Sequence, residues 1–327
     1  RKKNGLKIFV SILAILVIGI LGYIYSIYAN VKDSMDTAYT PVEVETFRTS
    51  NTGTVADSSE DEESRTNAGA MTPSELLEAG EPVSILLLGV DTGDLGRTEQ
   101  GRSDSMVVVT INPHTQKTTL LSIPRDTYTE IVGYGTSDKI NHAYAFGGTA
   151  MSINTVQQML DIPIDFYVMV NMAGIQEIVD AVGGITVESP LAFNQNGYDF
   201  VQGTNQLDGE AALAFARMRY EDPAGDTGRQ GRQRLVIEAV IRKLATPETL
   251  LNYQTILQSL SSNVQTSFQL SDFYTLQSQD YLGAVDNMNQ QQLGGTGGMM
   301  NEIYYNFVDG TELTRVQDLL QAELELE

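Results

Sequence analysis

The sequence predicts an α/β or α+β domain, with a central mixed β-sheet flanked by helices and an N-terminal transmembrane helix before it. The domain is predicted because short β-branched runs alternate with segments of helical periodicity. The membrane helix is predicted because an uncharged segment of 22 residues lies near the N-terminus.

Composition excludes several classes of function. The chain has 327 residues, 42% of them hydrophobic, which is enough for a sizeable core. Its net charge of −22 argues against duplex nucleic acid as the main partner, since neutralisation of phosphates drives that binding. The absence of Cys excludes disulfides and thiolate metal sites, and two histidines exclude a multi-His metal centre.

The uncharged segment Ile8–Ala29 is long enough to span a bilayer. Residues 1–7 contain four basic residues and are predicted to be a cytoplasmic tail, which places the rest of the chain outside the cell membrane. A cleaved signal peptide is the alternative. The anchor is favoured because the segment exceeds an apolar signal core of about 7–15 residues and ends in tyrosines typical of the membrane interface.

Residues 30–80 form a polar spacer, either a flexible stalk or an accessory helical element packed on the main domain. A helix start is indicated at Thr72, with Pro73 at the first helical position and Glu75 completing a capping box. The extracytoplasmic domain, which we expect to be catalytic, is assigned to residues 81–327.

Strands and helices follow one another through this domain. Strands are predicted over 83–90, 106–111, 118–123, 166–170 and 185–187, with the second and third forming a hairpin. Helices are predicted over 149–160, from Asn171 to about Val182, from Asp208 into Arg217, over 233–244 and over 318–327. Residues 294–298 are predicted to be a flexible loop.

Acidic and basic side chains gather where the predicted strands begin and end. Asp91 follows the first strand, Arg102 and Asp104 precede the second, and Arg125 follows the third. Ligands of open α/β sheets bind at strand ends. A single Asp there is more often a turn cap, but two carboxylates beside one short loop also suit Mg²⁺ when phosphates and water complete its coordination.

A second basic group lies in an otherwise acidic chain. It contains five arginines and no lysine: Arg217, Arg219, Arg229, Arg232 and Arg234. The alternative is a solvated face paired with neighbouring carboxylates. Exclusive use of Arg favours phosphate binding, since a planar guanidinium binds phosphate bidentately and a lysine does not. Together with Arg102 and Arg125, the group predicts a pocket for a doubly phosphorylated ligand.

These residues lie in strings that resemble the LytR-CpsA-Psr family of Gram-positive bacteria. The strings are LLLGVD, GRSDS, INP, SIPRDTY, DKINHAYAFGG, VDAVGGI, LDGEAALAFARMRY and GDTGRQGRQR, in that order between Val83 and Lys243. The resemblance implies a phosphotransferase that moves a glycopolymer, such as wall teichoic acid or capsule polysaccharide, from undecaprenyl pyrophosphate to peptidoglycan. The product is a phosphodiester, and the prenyl chain occupies an apolar tunnel.

The resemblance also implies roles for individual residues. Asp91 and Asp104 match the family's metal ligands, for Mg²⁺ or alternatively Mn²⁺. The residues that match its pyrophosphate-binding positions are Arg102, Arg125, Arg217, Arg219, Arg229 and Gln233. Of these, Arg125, Arg217 and Arg219 are expected to act in catalysis, together with Asp226 as a candidate general base. For Lys139 and His142, a capping or core role is favoured over ligand contact.

Three alternatives stay open at this point. A lipid-pyrophosphate phosphatase or pyrophosphatase would use the same site with water as the acceptor. A non-enzymatic polyprenyl-phosphate binder would keep the arginines without turnover, although it would not need the aspartates. A DNA-binding regulator is disfavoured by the net charge and by the predicted topology.

Overall fold

A computed structural model describes residue 36, residues 38–42, 71–91, 101–246, residue 249, and residues 263–278 and 280–326. The predicted membrane helix and cytoplasmic tail lie outside these ranges. None of the helices within them is long and apolar enough to cross a membrane.

The described strands, in chain order, are β1 Val83–Val90, β2 Ser103–Asn112, β3 Lys117–Ile123, β4 Tyr128–Ile131, β5 Thr136–Lys139, β6 Phe166–Asn171, β7 Ile185–Ser189, β8 Phe193–Gln195, β9 Tyr198–Phe200, β10 Gly203–Leu207, β11 Val264–Thr266, β12 Met288–Gln292, β13 Thr296–Met300 and β14 Ile303–Phe307. The described helices are α1 Pro73–Ala79, α2 His142–Leu160, α3 Met172–Ala181, α4 Gly209–Arg217, α5 Gly225–Leu244, α6 Leu270–Ser278 and α7 Gly310–Glu323, with a 3-10 helix at Asp280–Asp286.

The central sheet has the strand order β11-β6-β1-β2-β3-β12 in the described part of the chain. It is mixed: β1 pairs antiparallel with β2 and parallel with β6, and β12 joins β3 in parallel. The predicted hairpin is confirmed, with Asn112 opposite Lys117 at its turn. The prediction of a central mixed sheet flanked by helices is therefore confirmed.

Alternate residues of β1 enter two different cores, as the period of two requires. Leu86 and Leu88 face a core that includes Val156 of α2 and Leu320 of α7. Val83 and Ile85 face the opposite core, which includes Phe268. A third core lies between α3, α4, α5 and the small strands β7 to β10. Because both faces of the sheet are covered, the predicted long apolar run of β1 is accounted for.

The predicted helix caps are confirmed. Thr72 and Glu75 form the capping box at the start of α1, and Asn171 and Asp208 cap α3 and α4 through their side chains. Helix α1 buries Leu76 and Leu77 in the core beneath β1, so this part of the spacer packs on the domain.

Several boundaries differ from the predictions. Helix α5 begins at Gly225 rather than near Gln233, and α7 begins at Gly310 rather than Asp318. The segment 294–298, predicted to be a loop, contains the start of β13, which pairs with β14. Glycine is needed at both positions, because a Cβ atom at Gly297 would lie 2.3 Å from the Tyr304 hydroxyl oxygen and one at Gly298 would lie 3.0 Å from the Phe307 ring.

Candidate functional site

Asp104 lies in a bulge of β2 at the end of the β1–β2 ladder. Gly89 pairs with Ser105 and Val90 pairs with Ser103, so Asp104 is the extra residue between them. A bulge redirects the side chain it carries and is common beside functional sites. The sequence predicted Asp104 to lie before the second strand. In the structure β2 starts at Ser103, so Asp104 belongs to the strand.

Asp91 continues the same ladder beyond β1. Its N–H donates to the carbonyl of Arg102 at 3.2 Å, and its Oδ1 accepts the backbone N–H of Arg102 at 2.6 Å. Asp91 and Asp104 consequently project from neighbouring chain segments at one end of the sheet. The exposed Arg102 lies between them in sequence.

Arg125 reaches this end of the sheet from the turn after β3. Its Nη1 donates to Asp104 Oδ1 at 2.6 Å, and its side chain is 24% exposed. Burial acts to lower the pKa of Arg125, but the carboxylates of Asp104, Asp126 and Asp226 outweigh it and raise this pKa above its usual value. Arg125 therefore stays charged at any physiological pH.

Asp226, in the first turn of α5, gathers two further arginines. Its Oδ1 lies 2.6 Å from Arg229 Nη2 and 3.8 Å from Arg219 Nε. Its Oδ2 accepts a hydrogen bond from Gln230 Nε2 at 2.9 Å. The spacing of residues 226, 229 and 230 places these side chains on one face of the helix.

The two groups form one cluster. Burial lowers the pKa of Arg229, and so do the nearby charges of Arg125 and Arg219, while Asp226 and Asp104 act in the opposite direction. The pKa of Arg229 is therefore affected by Asp104 on β2, by Arg125 in the turn after β3 and by Arg219 between α4 and α5. We name Asp104, Arg125, Arg219, Asp226 and Arg229 the arginine cluster.

The arginine cluster contains buried donors that no described residue satisfies. The Nε atoms of Arg125 and Arg229 are both inaccessible and without a hydrogen-bond partner among the described residues. An unsatisfied buried donor on a charged group costs free energy. Guanidinium donors without a partner, in a cluster of arginines, are compatible with a phosphate site.

Arg232 does not join this cluster, contrary to the prediction from sequence. Its side chain is fully buried, and it donates to Asp222 Oδ2 and to the carbonyls of Phe215 and Met218. It thereby fixes the end of α4 against α5. Arg232 is a structural residue that determines where Arg217 and Arg219 emerge.

Arg234 also lies apart from the cluster. Its described partner is Gln290 on β12, at 3.4 Å from its Nε, and burial lowers its pKa. The sequence had grouped both residues with the phosphate-binding arginines because spacing alone does not show which face of α5 each one occupies.

An apolar cavity of about 360 Å³ opens beside the arginine cluster. One wall is the sheet face of β1, β2 and β6, and the others are α3, α4, α5 and α6. Both Asp104 and Ile111 line it, and they lie seven positions apart on β2, a separation of roughly 24 Å along an extended strand. Asp104, Arg217 and Gln233 lie at its polar end, whereas Val240 and Ile241 line its apolar part.

Helix α5 connects the two parts of the site along a single face. Asp226, Arg229 and Gln233 occupy its first turns, and Val236, Ile237, Val240, Ile241 and Leu244 continue the same stripe along the cavity. The sequence indicated an apolar stripe over this helix but did not identify it as the wall of a cavity. Ile237 and Ile241 widen the apolar stripe of this helix, and this width was the sequence signal that could have indicated a cavity wall.

The predicted site residues fall into three places. Arg125, Arg219, Asp226 and Arg229 are brought together by ion pairs and by charge. Arg217, Gln233 and Asp104 meet at the cavity. Asp91 and Arg102 lie next to each other, just after the end of β1 and just before the start of β2. Sequence reasoning missed Asp126, whose carboxylate contacts Lys139 and approaches Arg125.

The donor set at Asp91 and Asp104 is compatible with a hard cation. It offers two carboxylates next to arginines suited to phosphate, and Mg²⁺ is commonly held by one or two carboxylates with phosphates and water. Among the described residues, no group of three or more His, Cys, Asp or Glu side chains could hold a metal.

Comparison with known proteins identifies the family of this chain. The profile of the LytR_cpsA_psr family matches residues 44–322. The chain belongs to this family. The match extends N-terminally beyond residue 81, where the sequence had placed the start of the domain, and includes α1.

The chain is similar to a protein of Enterococcus faecalis named polyisoprenyl-teichoic acid–peptidoglycan teichoic acid transferase TagU. It is 45% identical over 324 residues, which is 98% of each chain. A crystal structure named transcriptional regulator (EF0465), also from Enterococcus faecalis, is 44% identical, covers 77% of this chain and 90% of its own, and has a TM-score of 0.70. The structure of TagT bound to LI-WTA is 30% identical, covers 76% and 93%, and has a TM-score of 0.64.

Proposed function

We propose that this protein is a phosphotransferase that moves a glycopolymer from a polyprenyl pyrophosphate carrier, undecaprenyl pyrophosphate, to peptidoglycan and forms a phosphodiester. The observation that carries the proposal is that an apolar cavity is lined by Asp104, which is ion-paired with Arg125 of the arginine cluster, and by Arg217 and Gln233. A substrate suited to both must have a long apolar chain and a multiply charged anionic head. A lipid-linked pyrophosphate has both.

The relatives support the same substrate class. TagU of Enterococcus faecalis is named for transfer of polyisoprenyl-linked teichoic acid to peptidoglycan, and it aligns with nearly the whole of this chain. We therefore propose wall teichoic acid or a related anionic polymer as the group transferred.

The proposed reaction is an in-line displacement at the phosphorus bonded to the sugar. The oxygen of a peptidoglycan hydroxyl forms the new P–O bond, and the bond to the bridging oxygen breaks. Prenyl phosphate leaves with the electron pair, and the proton of the hydroxyl passes to a base. Arg125, Arg217, Arg219 and Arg229, with Arg102 and Gln233, would bind the pyrophosphate and stabilise its charge.

Asp91 and Asp104 would hold Mg²⁺, or alternatively Mn²⁺. When bound, such an ion supplies charge stabilisation for the leaving phosphate. Asp104 would also orient Arg125 through their ion pair, so this residue would serve both functions. Chelation of divalent ions with EDTA should stop turnover and restoration of Mg²⁺ should recover it, whereas full activity in EDTA would exclude the ion.

Asp226 is the candidate general base, but its contacts favour a positioning role. Its Oδ1 is ion-paired with Arg229 at 2.6 Å, and its Oδ2 accepts a hydrogen bond from Gln230 at 2.9 Å. We propose that Asp226 sets the orientation of Arg229 and Arg219.

The proposed localisation is the cell membrane. Ile8–Ala29 would cross it once, with residues 1–7 in the cytoplasm and the folded domain outside. Both substrates, a prenyl carrier and peptidoglycan, are located at that outer surface.

Hydrolysis is the second candidate function, because the arginine cluster does not by itself select a sugar hydroxyl over water. A regulator of transcription, the name carried by one structural relative, is disfavoured by the net charge of −22. A binder without turnover is disfavoured because anion binding alone needs no paired aspartates.

The deciding experiment incubates the full chain with a lipid-pyrophosphate-linked oligosaccharide, Mg²⁺ and peptidoglycan fragments in water enriched in ¹⁸O. Mass spectrometry should detect a phosphodiester adduct without ¹⁸O in the transferred phosphate. Sugar phosphate carrying ¹⁸O, without an adduct, would identify a hydrolase. Tight donor binding without either product would contradict both activities.

A further inference from the structure

Asp126 lies between two cations at the edge of the arginine cluster. Its Oδ1 accepts from Lys139 Nζ at 2.7 Å, and its Oδ2 lies 3.8 Å from Arg125 Nε. The first distance is that of a short charge-assisted hydrogen bond, and the second is too long for any hydrogen bond. Asp126 is therefore hydrogen-bonded to Lys139, whereas it interacts with Arg125 only as an ion pair at 3.8 Å.

The separation leaves one edge of the Arg125 guanidinium without a hydrogen bond to Asp126. Nη1 is used by Asp104, while the buried Nε has no hydrogen-bond partner among the described residues. A carboxylate adjacent in sequence would normally take this donor, because Arg and carboxylate groups form bidentate pairs readily. Lys139 holds that carboxylate away.

Lys139 is itself fixed in place. It ends β5, where it pairs with Tyr128, and its Nζ lies 5.8 Å from the centre of the Tyr305 ring. Tyr305 also donates to Asp138 Oδ1 at 3.3 Å. The ammonium group is thus held by backbone pairing and by a ring contact, and its side chain is only 19% exposed.

The backbone of the Arg125 turn is equally well fixed. The Arg125 carbonyl accepts from Asn141 N–H at 3.3 Å, and the Asp126 carbonyl accepts from Asn306 N–H at 2.8 Å. Since the main chain is held on both sides, a change at Lys139 would act mainly by rotation of the Asp126 side chain.

We propose that Lys139 is a positioning residue that sequesters Asp126 and so prevents a hydrogen bond between Asp126 and the buried Nε of Arg125 that would compete with the pyrophosphate of the substrate. This role rests on the proposed function for the identity of the ligand. A capping or core role for Lys139 would not depend on the charge of Asp126, whereas the proposed role does. Without Lys139, Asp126 rotates onto Arg125 and competes with the phosphate.

The test measures binding of inorganic pyrophosphate to the full chain by calorimetry in EDTA, which separates it from metal binding and turnover. Lys139→Met should weaken binding about tenfold, as expected when one charge-assisted hydrogen bond is lost to a competitor. Lys139→Arg keeps a cation and should bind as the wild type does. Asp126→Asn alone should bind at least as tightly, because it removes the competitor while conserving shape.

The decisive variant combines Lys139→Met with Asp126→Asn. Binding restored to within about threefold of the wild type supports sequestration, because the loss expected in Lys139→Met alone is roughly tenfold. Binding as weak as in Lys139→Met alone would overturn it and make Lys139 a direct ligand or a structural residue. If Lys139→Met does not fold, as judged by thermal unfolding, a loss of binding in Asp126→Asn alone would overturn the proposal.

The proposed function can fail separately. A wild-type chain that binds pyrophosphate in this pattern but forms no peptidoglycan adduct would retain the role of Lys139 and lose the transferase reaction. A wild-type chain that binds no pyrophosphate would overturn both.

Discussion

Arg125 Nη1 and Asp104 Oδ1 are joined by a 2.6 Å ion pair that connects the turn after β3 to the bulge in β2. Each partner has a second task in the proposed mechanism: Arg125 binds pyrophosphate and Asp104 binds a cation. The pair therefore couples the anion site to the cation site, so that loss of either residue is expected to disturb both.

The first prediction concerns Arg125. Arg125→Ala should lower kcat by about 10² to 10³, because a donor aimed at developing charge is removed. Arg125→Lys should recover little of the loss, since an ammonium group cannot serve Asp104 and phosphate in the same plane. Arg315→Ala is the matched control, since it removes an Arg paired with the nearby Glu312 on the exposed side of α7. Activity in Arg125→Ala equal to that of the control would refute this role.

The second prediction separates positioning from base catalysis at Asp226. Asp226→Asn should raise KM for the lipid-linked donor and lower kcat by roughly tenfold, because Arg229 loses its partner. The pH dependence of kcat/KM should keep its shape. Loss of the acidic limb of that profile, with a far larger fall in kcat, would identify Asp226 as the base instead.

The sequence was informative where one residue type has one local role. The caps at Thr72, Asn171 and Asp208 and the run Val83–Val90 follow from hydrogen bonding and β-branching, and the structure confirms them. The bulge at Asp104 could not be predicted from the sequence. A bulge depends on the register with the partner strand, and the serines on either side of Asp104 give no local signal for it.

Long-range pairing limited the rest of the prediction. Strand β12 has the polar sequence Met-Asn-Gln-Gln-Gln and becomes an edge strand only because β3 offers an unpaired edge. Arg232 resembles its neighbouring arginines in sequence but is buried by contacts with Phe215 and Met218, which are more than ten residues away. The cavity is likewise formed by separate elements that no local pattern connects.

The third prediction tests the cavity as the site of the prenyl chain. Ile241→Trp should fill part of it and raise KM for a long-chain donor at least tenfold, since bulk is added to a lined cavity. Binding of inorganic pyrophosphate should not change. Ile303→Trp, at an exposed position on β14, is the control. An equal effect of Ile241→Trp on donors with long and short chains would place the lipid elsewhere.

The fourth prediction concerns the buried pair of Asp222 and Arg232. Burial of Asp222 acts to raise its pKa, but the hydrogen bonds from Arg232 and from the Ala224 N–H, together with the charge of Arg232, outweigh burial and hold this pKa below its ordinary value. A lowered carboxylate pKa stabilises the fold above the unfolded value near 3.9, and the contribution is lost as pH falls through the folded value.

Asp222→Asn should consequently lower the free energy of unfolding by about 3–5 kcal/mol at pH 7, because Arg232 is left buried and uncompensated. The difference from the wild type, measured by urea unfolding, should shrink as the pH is lowered below about 4. A difference that stays constant from pH 7 to pH 3 would show that the carboxylate charge contributes nothing.

The central claim is that the arginine cluster and the apolar cavity bind two ends of one substrate. Photo-crosslinking with a prenyl pyrophosphate that carries a diazirine near the far end of its chain tests this most directly. The label should map by mass spectrometry to peptides that contain Val240, Ile241 or Phe273, and excess inorganic pyrophosphate should compete with it. Labelling of the exposed hairpin at Met299 and Ile303, unaffected by pyrophosphate, would contradict the account.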